Sequence, residues 1–196
     1  MMAELNPDLK AYALRAGATA VKFISPEKLV VEKSLARLCL EPRCPNYGLS
    51  ASCPPHVQGP EQFRNWCEDA EHALALKIDV PVTVLYSAAR VEVMQLLHEI
   101  VAGTEQYAVK LKYPNALGFA GGSCRQIFCR DELNCLYLSK EKQCRHPLSA
   151  RPSLSGFGVN VAAMVDLAGW EASTLFETDS QDQSMSWVVG LVLLRP

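Results

Sequence analysis

Cysteines are the residues of this sequence with the widest range of chemistry, and seven of the eight fall in two groups. The first group has the spacing C-x4-C-x8-C, and the second has the spacing C-x4-C-x5-C-x8-C. Soft thiolates in such numbers are typical ligands of zinc and of iron–sulfur clusters. The first group consists of Cys39, Cys44 and Cys53, and the second of Cys124, Cys129, Cys135 and Cys144.

An even number of cysteines is also compatible with a disulfide framework, and the cellular compartment decides between these readings. Residues 1–20 carry Glu4, Asp8, Lys10 and Arg15 among apolar residues, so they lack the uninterrupted apolar stretch of a secretory signal. We therefore expect a cytoplasmic location, where a reducing environment makes clustered thiols more typical of metal or redox sites than of disulfides.

Composition excludes several classes of protein. With 196 residues and 49% hydrophobic side chains, the chain can form one compact domain over residues 1–196. A formal net charge of -2, without a long basic run, gives no electrostatic reason to bind nucleic acid or an anionic membrane. The longest clearly apolar run, 187–194, is far shorter than the roughly 20 residues of a membrane-spanning helix. We expect neither a nucleic-acid partner nor a membrane span.

Hydrophobic periodicity predicts an α/β or α+β fold, a mixed sheet with flanking helices and two cysteine-rich metal-binding loops. The loops cover about 39–59 and 121–158, and an acidic, serine-rich loop covers 177–186. One helix is long and contains Gly103, where it could divide in two. Helices are predicted at 8–16, 60–69, 91–111 and 160–168, and strands at 18–24, 29–35, 72–78, 82–86, 116–120 and 187–194.

The spacing of the cysteines bears on the identity of the metal. Structural zinc sites usually use close C-x2–4-C pairs, and neither group contains a C-x2-C pair. The wider gaps close more easily around a [4Fe-4S] cluster, whose ligand positions lie further apart than those of a single ion. Basic residues near the second group would offset the negative charge of a thiolate-bound cluster, or are simply solvated surface residues. They are Arg125, Arg130, Lys140, Lys142, Arg145 and Arg151.

Several short motifs accompany these cysteines in a characteristic order. Cys-Pro-Asn-Tyr-Gly at 44–48 and Ser-Cys-Pro-Pro at 52–55 are followed by Gly-Gly-Ser-Cys at 121–124 and Cys-Arg-His-Pro-Leu-Ser-Ala-Arg-Pro-Ser at 144–153. Together with Gly-Phe-Gly-Val-Asn-Val at 156–161, they make most of the chain resemble the DUF2284 family of predicted metal-binding proteins. The resemblance implies a cysteine-bound metal centre, most often iron–sulfur and mainly in anaerobic microbes, without a known reaction.

The resemblance also identifies ligand positions residue by residue. The family's cysteines fall on the three of the first group and on Cys124, Cys129 and Cys144 of the second. Cys135 completes the second group at a wider spacing than many members have. Cys67 matches no family position, and beside Trp66 on an amphipathic helix it is interpreted as a small buried hydrophobic residue.

The first group has only three cysteines, so a cluster bound there would lack one protein ligand. Its open iron would be accessible to water, to a substrate or to His56. Alternatively, the two loops share one centre, or the first group holds zinc with His56 as its fourth ligand.

Three functional hypotheses follow. The first is an iron–sulfur protein for electron transfer or redox activation that works with a redox protein partner. The second is a zinc-stabilised module that binds another protein. The third is an enzyme that acts at an open iron, with Arg145, His146 or Arg151 positioning the substrate.

Overall fold

The computed structural model describes residues 7–42, 44–139, 143–171 and 184–196. In these ranges the chain forms seven α-helices and four strands. The helices are α1 (Pro7–Arg15), α2 (Lys33–Arg37), α3 (Gly59–Glu68), α4 (Val82–Leu85), α5 (Arg90–Leu111), α6 (Cys124–Phe128) and α7 (Val161–Leu167). The strands are β1 (Ala20–Ile24), β2 (His72–Pro81), β3 (Leu117–Phe119) and β4 (Met185–Leu194), and 3-10 helices lie at Pro26–Lys28, Leu136–Leu138 and Leu154–Phe157.

The four strands form one sheet in the order β1-β2-β4-β3. All three strand pairs are antiparallel, so the expected α/β architecture with flanking helices is confirmed, whereas the expected mixed sheet is corrected to an antiparallel one. The only parallel pairing in the described residues is an isolated bridge between Ala120 and Ser153. Because β2 and β3 are both antiparallel to β4, they run in the same direction, and the connection that carries α5 crosses from one side of β4 to the other.

Alternation along β2 separates two apolar cores, one on each face of the sheet. Leu74 and Leu76 belong to the core covered by α1 and α5, whereas Ala73 and Ala75 belong to the core with α3 and α7. Successive side chains of a strand point to opposite faces, so a strand covered on both sides is apolar throughout. This confirms the interpretation of 187–194 as a central strand, since β4 lies between β2 and β3.

The long helix α5 runs without interruption through Gly103. A Cβ atom at this glycine would lie 2.7 Å from the hydroxyl oxygen of Tyr12. Tyr12 stacks on Tyr107 one turn further along α5, with ring centroids 4.9 Å apart. Gly103 therefore gives α1 a close approach to α5 and does not divide the helix.

Two of the predicted strands are wrong. Over 29–35 the chain makes only a single bridge, from Val31 to Val159, and then enters α2. Over 82–86 it forms the short helix α4, because β2 continues to Pro81 and ends there. Proline has no amide hydrogen to donate to the sheet, and its fixed φ allows a helix to begin directly after it.

The remaining predicted elements are found within a few residues of their expected bounds. The N-cap of α7 is confirmed, because the side chain of Asn160 accepts a hydrogen bond from the Ala163 amide at 3.0 Å. Most of the predicted loop at 177–186 lies outside the described residues, and its last residues belong to β4. No helix in the described ranges combines the length and apolar character needed to cross a membrane.

Candidate metal centre

The first cysteine loop is held by a chain of turns. The Cys44 amide donates to the Cys39 carbonyl at 3.0 Å, and the Cys53 amide donates to the Ser50 carbonyl at 3.2 Å. Between them the Gly48 amide reaches the Pro54 carbonyl at 2.8 Å. Within this loop, burial raises the pKa of the Cys39 thiol, and the thiols of Cys44 and Cys53 raise it further.

The second cysteine loop folds around one small pocket. Cys124 and Cys129 lie at the two ends of α6, and Cys135 precedes the 3-10 helix at Leu136–Leu138. These three thiols and Cys144 line the same pocket, which we call the thiol pocket. A short helix followed by a 3-10 turn thus converts the wide spacing of the second group into a convergent arrangement.

Serine hydroxyls connect the two loops at their inner ends. Ser52 Oγ donates to Cys124 Sγ at 3.0 Å, and Cys53 Sγ donates to Ser123 Oγ at 3.5 Å. The hydroxyl of Ser50 lies 3.1 Å from that of Ser52 and extends this contact. All three serines are buried, so the bonds are protected from competition by water.

The electrostatics of Cys124 show how close the two groups are. Burial raises the pKa of this thiol to about 11, hydrogen bonds from Ser52 and Ser50 lower it, and the thiols of Cys53 and Cys144 raise it again. One cysteine from each group therefore acts on Cys124. Without a metal this thiol is protonated at neutral pH, so a metal must displace its proton to bind.

Arginine side chains provide positive charge beside the thiol pocket. Arg145 pairs with Glu132 at 2.9 Å and lowers the pKa of Cys129, opposing the larger upward effect of burial. Arg125 lines the pocket, and its Nη2 donates to the carbonyls of Glu132 and Leu133 at 2.6 and 3.0 Å. Its Nη1 is buried and has no hydrogen-bond partner among the described residues. A buried, unpartnered donor beside four thiols fits a negatively charged group in this pocket.

Arg151 has a structural environment rather than a substrate-binding one. Its Nε donates to the Glu105 carboxylate at 2.7 Å, and its Nη1 donates to the Pro147 and Ala150 carbonyls. The side chain is nearly buried. The guanidinium thus fixes the end of the second loop to α5, which leaves it unsuited to the substrate-positioning role expected of it.

His98 of α5 is a second residue with a structural role next to the second cysteine loop. Its Nδ1 accepts from the Arg151 amide at 3.1 Å, and its Nε2 donates to the Gly121 carbonyl at 3.0 Å. Burial lowers the pKa of this imidazole to about 4. A neutral histidine therefore joins the two ends of the second cysteine loop. Sequence patterns did not identify this role, nor that of Glu105 or of the three serines, because each depends on contacts between distant segments.

The remaining candidates are separated by their surroundings. Cys67 lies on α3 and is buried in the apolar core, and this burial raises the pKa of its thiol to about 12. The Nε2 of His56 donates to the Gly48 carbonyl at 3.2 Å, so this nitrogen has no lone pair for a metal. His146 lines the thiol pocket, where its ring stacks on Phe128 with centroids 5.2 Å apart and its amide donates to Cys144 Sγ. Cys67 is thus the small hydrophobic residue expected.

The spacing of donor side chains across the described ranges is wider than that of a single-ion site. No three Cys, His, Asp or Glu side chains among these residues are grouped closely enough to hold one metal ion. The thiols of the second group surround a pocket instead of meeting at a point. All eight cysteines lie in described ranges, and all are free thiols.

A family model for predicted metal-binding proteins, DUF2284, matches residues 22–194 and so includes both cysteine groups. The chain belongs to the DUF2284 family. No curated protein and no solved structure matches it. Membership in this family establishes the protein as a predicted metal-binding protein, and the two loops contain the candidate ligands.

Proposed function

We propose that this protein binds one or two [4Fe-4S] clusters through its cysteines and serves in electron transfer or redox activation. The observation that carries the proposal is the thiol pocket, which is lined by four free thiols and by Arg125, whose Nη1 is buried without a partner among the described residues. Thiolate sulfur is the ligand that iron–sulfur clusters require. A bound cluster would supply a centre that accepts and releases one electron.

The residues that would hold such a cluster are the four of the thiol pocket. A second cluster would be held by Cys39, Cys44 and Cys53. Alternatively, these three cysteines would share one centre with the thiol pocket, since Cys53 lies close to Cys124. The wide spacing of the cysteines in the sequence supports a [4Fe-4S] cluster in preference to one zinc ion.

Several contacts to the thiols suit thiolates that carry extra negative charge. Ser52 Oγ and the His146 amide donate hydrogen bonds to the sulfur atoms of Cys124 and Cys144. Arg145 places a positive charge near Cys129. Hydrogen bonds and nearby cations stabilise the more negative, reduced state of a thiolate-bound centre and so raise its reduction potential.

The surface around the loops supports a redox protein as the partner. Leu133 is 91% exposed and Leu148 is 70% exposed. Leu133 lies shortly after Cys129 in the second loop, and Leu148 lies shortly after Cys144. A groove between Leu49 of the first loop and Leu138 of the second is also lined by Cys135. Exposed apolar surface of this kind is typical of sites where proteins dock.

One observation favours a second candidate, an enzyme that acts at an open iron of the first group. That group offers three cysteine thiols, one fewer than the four that a [4Fe-4S] cluster takes from cysteine ligands. An iron without a fourth protein ligand could bind a substrate. A change in the cluster spectrum on addition of a substrate would favour this candidate, and an unchanged spectrum would favour electron transfer.

The experiment that tests the proposal measures iron, acid-labile sulfide and zinc per chain after purification without oxygen. We expect about four irons and four sulfides for one cluster, or about eight of each for two, with a visible absorption that dithionite bleaches. The Cys67→Ala variant is the matched control and should show the same content. Zinc without sulfide would contradict the proposal and establish a structural metal.

A further inference from the structure

A cavity of about 390 Å³ lies on the far side of the turn that leads into the second cysteine loop. It exists because β3 pairs only with Leu191–Leu193 of β4, so the preceding part of β4 has no described strand on that side. Trp187, Val188 and Val189 form one wall of the cavity there. The opposite wall comes from the start of α5, and this volume lies within the range of small-molecule sites.

The lining of this cavity is apolar with one cation at its edge. Met94, Leu97 and Leu154 are buried side chains that contribute to it. Among the described residues, Arg90 is the only charged member of the lining, and it forms no ion pair with any of them. A ligand that complements both features has an apolar body and one negative charge.

The cavity is distinct from the metal centre, although the two share a wall. Ala120 and Gly121 line the cavity, and Cys124 follows three residues later. No cysteine is part of the cavity lining. The Gly121 carbonyl is held from the other side by His98 Nε2, which keeps this wall in place. A ligand in the cavity would therefore lie behind the second cysteine loop without contacting a thiol.

We propose that this cavity binds a small amphipathic anion, a carboxylate with a medium-length apolar chain or an aromatic ring. The apolar body lies against Met94, Trp187 and Val188, and the carboxylate pairs with Arg90 at the cavity mouth. Burial of the apolar body supplies most of the affinity, and the arginine selects the anion over its neutral counterpart. The assignment does not depend on which metal the cysteines bind.

The test uses octanoate as the probe and octanol as its neutral counterpart, with the full-length, metal-containing protein. Trp187 is a tryptophan of the cavity lining, so its fluorescence reports occupancy. We expect saturable binding of octanoate, and tighter binding of octanoate than of octanol. The Arg90→Gln variant should weaken octanoate binding roughly threefold and leave octanol binding unchanged. Arg15→Gln, at an equally exposed arginine of α1, is the matched control and should change neither.

A second variant tests the location. Ser155 is exposed and lines the cavity, so Ser155→Phe should fill it and abolish binding of both probes without unfolding the protein. Ser155→Ala should bind both probes as the unaltered protein does. Absence of saturable octanoate binding, equal affinity for the two probes, or unchanged binding in Ser155→Phe would each overturn the proposal. Metal content, measured on the same samples, is expected to stay constant and is tested separately.

Discussion

The sheet and the two cysteine loops are stabilised by different interactions. β2 and β4 pair over ten residues each, and apolar cores cover both faces of the sheet. The loops instead consist of turns, short helices and bonds between serines and thiols. Their surface exposes large apolar side chains, namely Leu38, Leu40, Leu49, Leu133, Tyr137, Leu138 and Leu148.

This difference indicates what each region needs in order to stay folded. Burial of apolar surface is the dominant favourable contribution to folding, and the sheet has this contribution on both faces. A loop with little buried apolar surface opens more easily, unless a bound group supplies the missing free energy. We infer that the sheet folds without metal and that the loops depend on it.

Loss of a ligand should give the largest effect and should separate the two regions. In Cys124→Ser we expect nearly complete loss of metal, because an oxygen replaces a soft sulfur ligand at the contact between the loops. Amide hydrogen exchange should accelerate over 121–158 and stay slow in β2 and β4. Cys67→Ala is the control and should retain the metal. Full metal content in Cys124→Ser would exclude this residue as a ligand.

A substitution in the sheet should lower the free energy of unfolding and leave the metal content unchanged. Leu76 is fully buried against α5, so Leu76→Ala should lower the free energy of unfolding by about 2–5 kcal/mol in urea titrations. Metal per folded chain should stay the same. The exposed Leu148→Ala in the second loop should change the free energy of unfolding by less than about 0.5 kcal/mol. Loss of metal in folded Leu76→Ala would show that the regions are not independent.

Protonation of His98, which connects α5 with the second cysteine loop, should lower the stability of the folded protein in acid. Its pKa is lowered from 6.5 to about 4 in the folded protein, so the unfolded chain binds the proton more readily between these values. Stability is therefore fully present above pH 6.5 and falls as the pH drops toward 4, by up to about 3 kcal/mol. Urea unfolding of metal-free protein at pH 7 and pH 4.5 measures this loss. His98→Gln should reduce the difference between the two pH values, and an equal loss in both proteins would contradict the assignment.

The smallest effect should come from a contact within the metal centre. Ser52→Ala removes the hydroxyl donor to Cys124 Sγ but leaves every thiol in place. Loss of one hydrogen bond to a metal ligand typically weakens metal binding about tenfold, and we expect the variant to release its metal to a chelator correspondingly sooner. Ser155→Ala, at a serine outside the thiol pocket, should release metal as the unaltered protein does. Identical release from Ser52→Ala would show that this bond does not support the centre.

Much of the fold could be predicted from local patterns. Apolar periodicity predicted α5, and the apolar run at 187–194 predicted a strand covered on both faces. The two wrong strands contain β-branched residues such as Val31 and Val84, which favour strands locally. Over 29–35 the chain pairs with a neighbouring segment at one residue only, and over 82–86 it forms a helix. Neither segment therefore joins the sheet.

The candidate site was predicted less completely than the fold, because several of its contacts join residues that are far apart in the sequence. Cysteine spacing identified both groups, because ligands within one loop are close in sequence. The bond from Ser52 to Cys124 joins residues 72 positions apart, and that from Asn160 to Glu32 joins residues 128 apart. No local pattern contains such contacts. The sequence also left open whether the arginines were solvated, and the unpartnered Nη1 of Arg125 became evident only from its burial.

The position of β4 in the sheet has a consequence for the order of events during synthesis. β4 follows both cysteine loops in the chain, yet it lies between β2 and β3. While the ribosome is still making residues 185–194, those two strands have no partner that joins them, and both loops have already emerged. The thiols are thus exposed before their scaffold closes, when a premature disulfide could still form. Delivery of the metal is therefore expected to follow closure of the sheet.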